Sequence, residues 1–261
     1  IGGAINMVTK PISLKNYTEV DISTGLLNKL EITTSNTSGR FGYLIQATRK
    51  DGDLLRQIPG QDALTFKQED LLVKFKYDLT REGGKKQSLS TKVSYSTEES
   101  SESYLGTSQQ DFDNDPYVRY QASSDDQMKW KRVAASLNYK IKTSESLKTN
   151  ITLYHNDFQR DWYKFNKING MTTTGLASAL AQNTSQSLND LLSGNRDSVG
   201  EAEELVFGGN DRKYYSQGLE LKQKLSFNTG ASVFHDLSYG VRLHRDQIER
   251  NHTEINASMR D

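Results

Sequence analysis

Arg132-Val133-Ala134-Ala135-Ser136-Leu137-Asn138-Tyr139-Lys140-Ile141-Lys142 carries the signal that decides the fold. Val133, Ala135, Leu137, Tyr139 and Ile141 are apolar, interleaved with Arg132, Ser136, Asn138, Lys140 and Lys142. Successive side chains of a strand point to opposite faces, so a period of two predicts a strand with one apolar and one polar face. The pattern recurs downstream. Leu147, Thr149, Ile151 and Leu153 alternate with Lys148, Asn150 and Thr152. Leu219, Leu221, Leu225 and Phe227 oppose Glu220, Lys222, Lys224 and Ser226, with Gln223 the one polar break. Leu237, Tyr239, Val241 and Leu243 oppose Ser238, Gly240, Arg242 and His244.

Working outward, the alternation rule marks about nine segments. They are expected at Tyr17–Leu26, Lys29–Asn36, Arg40–Lys50, Phe66–Leu79, Gln87–Thr97, Trp130–Lys142, Leu147–Phe158, Tyr214–Asn228 and Val233–Arg245. Their connectors alternate too. Short turns sit at Thr37-Ser38-Gly39, Arg81–Lys86, Thr143–Ser146 and Thr229–Ser232. Long loops lie between them at Asp51–Thr65, about Glu98–Lys129 and about Gln159–Lys213, and only the connector near Leu27 and Asn28 is tight on that side. Short turns at one end and long loops at the other characterise transmembrane barrels, with the long loops outside the cell. A soluble β-sandwich alternates as well, but its long loops need not keep to one end. Leu188, Leu191 and Leu192 followed by Gly194 predict a short helix with a glycine stop inside the longest loop.

Composition narrows the classes. The 33 basic and 33 acidic residues cancel, which gives no reason to expect nucleic acid as a partner. Cysteine is absent, excluding disulfides, thiolate metal sites and cysteine nucleophiles. Mean hydropathy is −0.73. No apolar run approaches ~18 residues, so a membrane-spanning helix is excluded. Barrel strands escape that test, because lipid-facing and lumen-facing residues alternate and polar loops dilute the signal. No nucleophile elbow, HExxH or phosphate-cradling glycine loop marks an enzyme. Asp111, Asp113 and Asp115 lack the glycine and distal glutamate of a calcium loop, and Asn114-Asp115-Pro116 reads as a turn. His155, His235, His244 and His252 are not spaced to share an ion.

Ile1-Gly2-Gly3-Ala4-Ile5-Asn6-Met7-Val8-Thr9-Lys10-Pro11-Ile12 resembles the last plug strand of TonB-dependent receptors, where a Gly-Gly-x-(Ile/Val)-Asn-x-(Val/Ile)-Thr-(Lys/Arg) segment precedes the first barrel strand. Two further stretches are similar to the ferric dicitrate branch of that family. One runs through Ser103–Thr107, Asp111-Phe112, Asp115–Tyr120 and Met128-Lys129-Trp130; the other is Asn210–Gly218. The resemblance implies a plug strand over 1–12 and the N-terminal part of a barrel over 13–261, all-β and antiparallel, in a barrel of about 22 strands around a plug. The chain is therefore expected to be a fragment, with the rest of the plug upstream and the closing strands downstream. It also implies the function: uptake of a ferric chelate across the bacterial outer membrane, in contact with membrane lipid and driven by a TonB-type energy-transducing protein. No cofactor is implied. A plug-free porin and a soluble β-rich binding or adhesion module are the alternatives that the strands alone leave open.

An anionic chelate calls for arginine, whose planar fork binds carboxylates bidentately. Even-numbered residues of Leu147–Phe158 are the polar set, so Arg160 is expected to point into the lumen above the apolar band. The resemblance puts a ligand-contacting arginine at Gln159-Arg160-Asp161, although the loop after Lys167 departs from the family pattern and keeps no clear second arginine. The competing reading pairs Arg160 with Asp157 or Asp161 as a solvated loop charge. Lys164 and Lys167 would widen a cationic surface, while Trp162 is assigned to the interfacial aromatic girdle. Arg119, Tyr120 and Arg212 are further ligand candidates, each weighed against plain loop packing.

Overall fold

The computed structural model describes residues 8–182, 185–230 and 233–260. Nine strands follow one another: β1 (Tyr17–Ser23), β2 (Leu27–Ser38), β3 (Phe41–Asp53), β4 (Thr65–Asp78), β5 (Gln87–Ser101), β6 (Gln127–Lys142), β7 (Leu147–Ile168), β8 (Leu205–Thr229) and β9 (Val233–Ala257). They form a single sheet in chain order, every neighbouring pair antiparallel. Short connectors follow β2, β4, β6 and β8, and the long ones follow β3, β5 and β7 at the opposite end. Between β2 and β3 the turn is only two residues, Gly39-Arg40, and Gly39 adopts φ 56°, a left-handed conformation that its missing Cβ permits.

Cross-strand partners share a face, so the register shows how the two side-chain sets sort. Val20 faces Ile32, Ile45 faces Val73, Val73 faces Val93, Leu137 faces Leu153, Leu153 faces Leu219, and Leu221 faces Val241. These residues make one continuous apolar belt. It drifts toward the short-turn end from β1 to β9, as strands tilted against a barrel axis require. Phe41, Phe75, Tyr77, Tyr139 and Tyr239 edge the belt on that side, and Phe41 stacks on Phe75 with centroids 5.7 Å apart. Lys140, Lys222 and Arg242 lie on the other, polar face.

Three strands run well past their expected ends. β7 continues from Phe158 to Ile168, β8 begins at Leu205 instead of Tyr214, and β9 continues from Arg245 to Ala257. The supposed loop is thereby shortened to residues 169–204. Above the belt neither face meets a uniform apolar phase, so hydrophobic alternation stops although the ladder of backbone hydrogen bonds does not.

Burial is concentrated where the long loops pack on the upper ends of β7 and β8. α1 (Gln109–Asn114), α2 (Thr173–Gln182) and α3 (Gln186–Leu192) are helical, the last at the leucine cluster that predicted a helix. Leu176 and Leu180 of α2 and Leu188, Leu191 and Leu192 of α3 close a core with Tyr120, Phe165, Ile168, Leu205 and Phe207. Phe165, Leu205 and Phe207 share the parity of the belt, so protein takes over from the belt's surroundings at this level. The expected plug strand falls mainly on residues outside those described. Val8–Ile12 is not strand but lies along the polar face of the first strands: the Ser13 amide donates to Ser35 Oγ at 2.8 Å, Thr37 Oγ1 donates to the Ser13 carbonyl at 2.7 Å, and Lys10 bridges Glu19 and Glu31.

An apolar belt of this extent is stable only against hydrocarbon or protein. In the full chain refolded into phospholipid vesicles, Leu153→Arg is expected to lower the unfolding free energy by roughly 2–4 kcal/mol. Thr152→Arg, on the other face, is expected to change it by less than about 1 kcal/mol; equal losses in denaturant titrations would contradict the sorting.

Candidate functional site

The polar face of β6–β9, just above the level of the belt, gathers the charged candidates. Trp130 faces Arg160, Arg160 faces Arg212, and Arg212 faces Arg250. Three guanidinium groups thus stand side by side on three adjacent strands. Arg160 and Arg212 were expected separately; the register brings them together and adds Arg250. Arg250 lies beyond the apolar alternation of β9, which stops near Arg245. The signal was parity, since 250 has the same parity as Arg242 and His244.

Among the described residues none of the three arginines forms an ion pair, and the Arg160 Nε has no hydrogen-bond partner. The competing pairing is thus unmet: Asp157 bonds His155 at 2.7 Å, and Asp157 and Asp161 carry the opposite parity to Arg160. Arg212 Nε donates to Asn210 Oδ1 at 2.8 Å, and its Nη1 reaches the Tyr214 hydroxyl at 3.5 Å. One row below, Arg132, Phe158, Tyr214 and Ile248 are aligned, so an aromatic shelf underlies the cations. Phe158 packs on Trp130 and on Tyr214, with centroids 5.8 and 5.7 Å apart.

Lower on the same face, Gly218 lets β7 touch β9 across β8. A Cβ at Gly218 would stand 2.4 Å from the Tyr154 hydroxyl and 2.5 Å from the Leu243 carbonyl oxygen. The Tyr154 ring crosses this gap and bonds His244 Nδ1 at 2.5 Å, while Arg242 Nε donates to its oxygen at 2.8 Å. His244 Nε2 in turn bonds Asp246 at 2.7 Å. Among the described residues no three His, Cys, Asp or Glu side chains are grouped to hold a metal ion.

Above the arginine row the loop candidates divide. Trp162 has the parity of Arg160, which corrects its assignment to the outer girdle. Its ring meets Tyr104 edge-on at 5.3 Å, and Arg160 lies 5.6 Å from its centroid. The Lys164 ammonium sits over both rings, 2.9 Å from the Tyr104 centroid and 4.3 Å from that of Trp162. Lys167 follows a bulge and faces Val206 on the same side. Arg119 donates to the carbonyls of Pro116 and Val118, both at 2.8 Å. Tyr120 is 5% exposed, and its hydroxyl donates to Asp111 at 2.6 Å while accepting from the Ser108 amide at 3.0 Å. Both make their hydrogen bonds within the loop layer.

One buried acid ties this loop layer to β7. Asp126, 2% exposed, accepts from the backbone N–H of Phe165 at 2.6 Å and of Tyr104 at 2.9 Å. Burial pushes its carboxyl up to about 6, although these hydrogen bonds and Lys164 pull the other way.

The arrangement is similar to solved barrels. It matches the ferric citrate transporter FecA in the unliganded form with a TM-score of 0.68 at 18% identity, over 98% of this chain and 33% of that one. It matches the siderophore receptor PiuA from Acinetobacter baumannii with a TM-score of 0.59 at 10% identity, over 94% of this chain and 32% of that one. The chain spans about a third of the length of these structures. No family model and no curated protein matches the sequence. At such identities the likeness is one of fold: an antiparallel sheet forming part of a transmembrane β-barrel, its belt outward and its polar face toward the lumen.

Asp126 is expected to make the loop layer pH-sensitive. Its carboxyl holds a proton more tightly folded, at about 6, than at the ordinary 3.8. The resulting stability is fully present below the ordinary value and is lost as pH rises through about 6. Hydrogen-exchange protection of the Tyr104 and Phe165 amides, corrected for intrinsic rates, is expected to fall about tenfold from pH 5 to 7.5. Asp126→Asn should flatten that dependence, and a slope that persists in the variant would refute the assignment.

Proposed function

We propose that this chain is part of the wall of a bacterial outer-membrane receptor that imports an anionic ferric chelate, energised by a TonB-type protein acting on a plug. The observation that carries the reading is the row Arg160, Arg212 and Arg250, in register on the lumen face with no carboxylate partner among the described residues. Like charges directly opposite each other on a sheet destabilise it by roughly 0.2–1 kcal/mol per pair. A multivalent anion would reverse that sign. Guanidinium forks favour carboxylate oxygens, which points to a polycarboxylate chelate of the ferric citrate type, the cargo named for one of the similar transporters. Iron arrives already chelated, so no protein ligands to the metal are required, and the protein's task is capture and passage without chemical conversion.

Arg160 and Arg212 form the centre of this site and Arg250 its far flank. Lys164 and Lys167 lend charge from the rim, while Arg119 and Tyr120 contribute by holding the loop above. The belt would contact outer-membrane lipid. A plug ending at residues 1–12 would enter from inside the barrel, in keeping with Ser13 bonded to Ser35 and Thr37 on the lumen face of β2.

Replacing Arg160 with alanine removes a charge-assisted contact of about 1.5–3 kcal/mol, about ten- to hundredfold in affinity. Lysine at the site restores charge but not the bidentate fork, and is expected to rescue only part of the loss. Ferric citrate binding to the full-length receptor, measured by calorimetry, tests this. Unchanged affinity in a normally folded Arg160→Ala protein sinks the ligand role.

A further inference from the structure

We infer that the short-turn end of the same lumen wall holds a second anion-binding site, made of lysines and separate from the arginine row. Lys142 faces Lys148 and Lys148 faces Lys224; in the next row Lys140 and Lys222 flank Asn150. These side chains line a concavity of about 950 Å³. It lies ten residues below Arg160 along β7, about 33 Å at ~3.3 Å per residue.

The local charge balance is uneven. Lys142 pairs with Glu145, Lys222 with Glu220 at 2.8 Å, and Lys224 with Asp236 at 2.8 Å. Lys140 and Lys148 make no ion pair among the described residues, although Lys148 stands directly between two other lysines. On the outward face above the belt Lys67 lies beside Glu69 at 3.2 Å and Lys129 beside Glu99 at 2.7 Å, while Lys131 and Lys213 make no ion pair among the described residues. Lysines facing one another across a ladder repel, and a bound anion removes the repulsion.

Its ligand class is a small multivalent anion, a di- or tricarboxylate. Ammonium groups act as point charges without a planar fork, so they hold such an anion with little geometric demand. Binding there is weaker than at the arginines and strongly weakened by salt. Those are the properties of a receiving station, from which cargo must leave again. The direction of travel rests on the uptake function proposed above; the site itself rests on the sorted lysines.

Metal-free citrate, titrated into the full-length receptor at low ionic strength, is expected to show two classes of site by calorimetry. The combined substitution K140Q, K148Q and K222Q should weaken the looser step at least tenfold and leave the tighter one intact. K148Q alone, the milder change, should weaken the looser step several-fold in a protein whose folding is checked by its heat-modifiable mobility. R160A with R212A should abolish the tighter step and spare the looser. A single step at low salt, or a looser step indifferent to the lysines, overturns the second site. A tighter step that survives loss of both arginines overturns the arginine reading and leaves the lysine site standing.

Discussion

Register between neighbouring strands is the constraint on which both the belt and the proposed sites depend. A strand shifted by one residue against its neighbour would exchange its entire outward and inward sets. Leu153, Leu219 and Leu243 would then enter the lumen row now held by Tyr154, Gly218 and His244. Such a slip is costly because it exposes belt residues to water and buries lysines against the apolar phase at once. Short turns, the tightest being Gly39-Arg40, fix the pairing locally, and the belt enforces it over the length of each hairpin. The arginine row is a by-product of that enforcement: once Leu153 is held outward, Arg160 has no choice of side.

The belt strands were legible in the sequence because alternation reports the boundary between an apolar phase and a polar one. Around Leu137, Leu153 and Leu221 that boundary is sharp, and strand starts at Gln87, Leu147 and Val233 were placed to the residue. The extensions of β7, β8 and β9 were not legible. Their hydrogen bonds are as regular, but Asp246, Gln247, Glu249, Arg250 and Asn251 are polar on both faces. Backbone pairing leaves little trace in composition when neither face is sorted. α2 was invisible for a related reason: Thr173–Gln182 carries only Leu176 and Leu180 to the core, too thin a stripe to distinguish from loop.

The candidate site was half legible. Arg160 and Arg212 were found from parity and from a motif, each as an isolated charge, whereas their adjacency follows from pairing between strands separated by a long loop. Sequence spacing carries no information about that register. Trp162 shows the opposite failure. Its residue type suggested the interface, and its even number, the feature already applied to Arg160, placed it in the lumen. Where composition and parity disagree in a barrel, parity is the stronger guide, because the pleat leaves no intermediate orientation.

Net neutrality hides a separation of charge between the two faces. Above the belt, the outward face interleaves cations and carboxylates, with Lys67 beside Glu69 at 3.2 Å and Lys129 beside Glu99 at 2.7 Å. On the lumen face cations stand at several levels: arginines near the long loops, lysines near the short turns, and between them Lys74 opposite Lys92 in the row of Tyr154 and His244, with Arg242 bonded to Tyr154. Fields inside a narrow polar passage walled by a low-dielectric phase are screened less than fields at an open surface. Unpaired cations therefore exert more pull per charge in the lumen than they would outside. A chain with no overall charge can in this way gather cations along one wall.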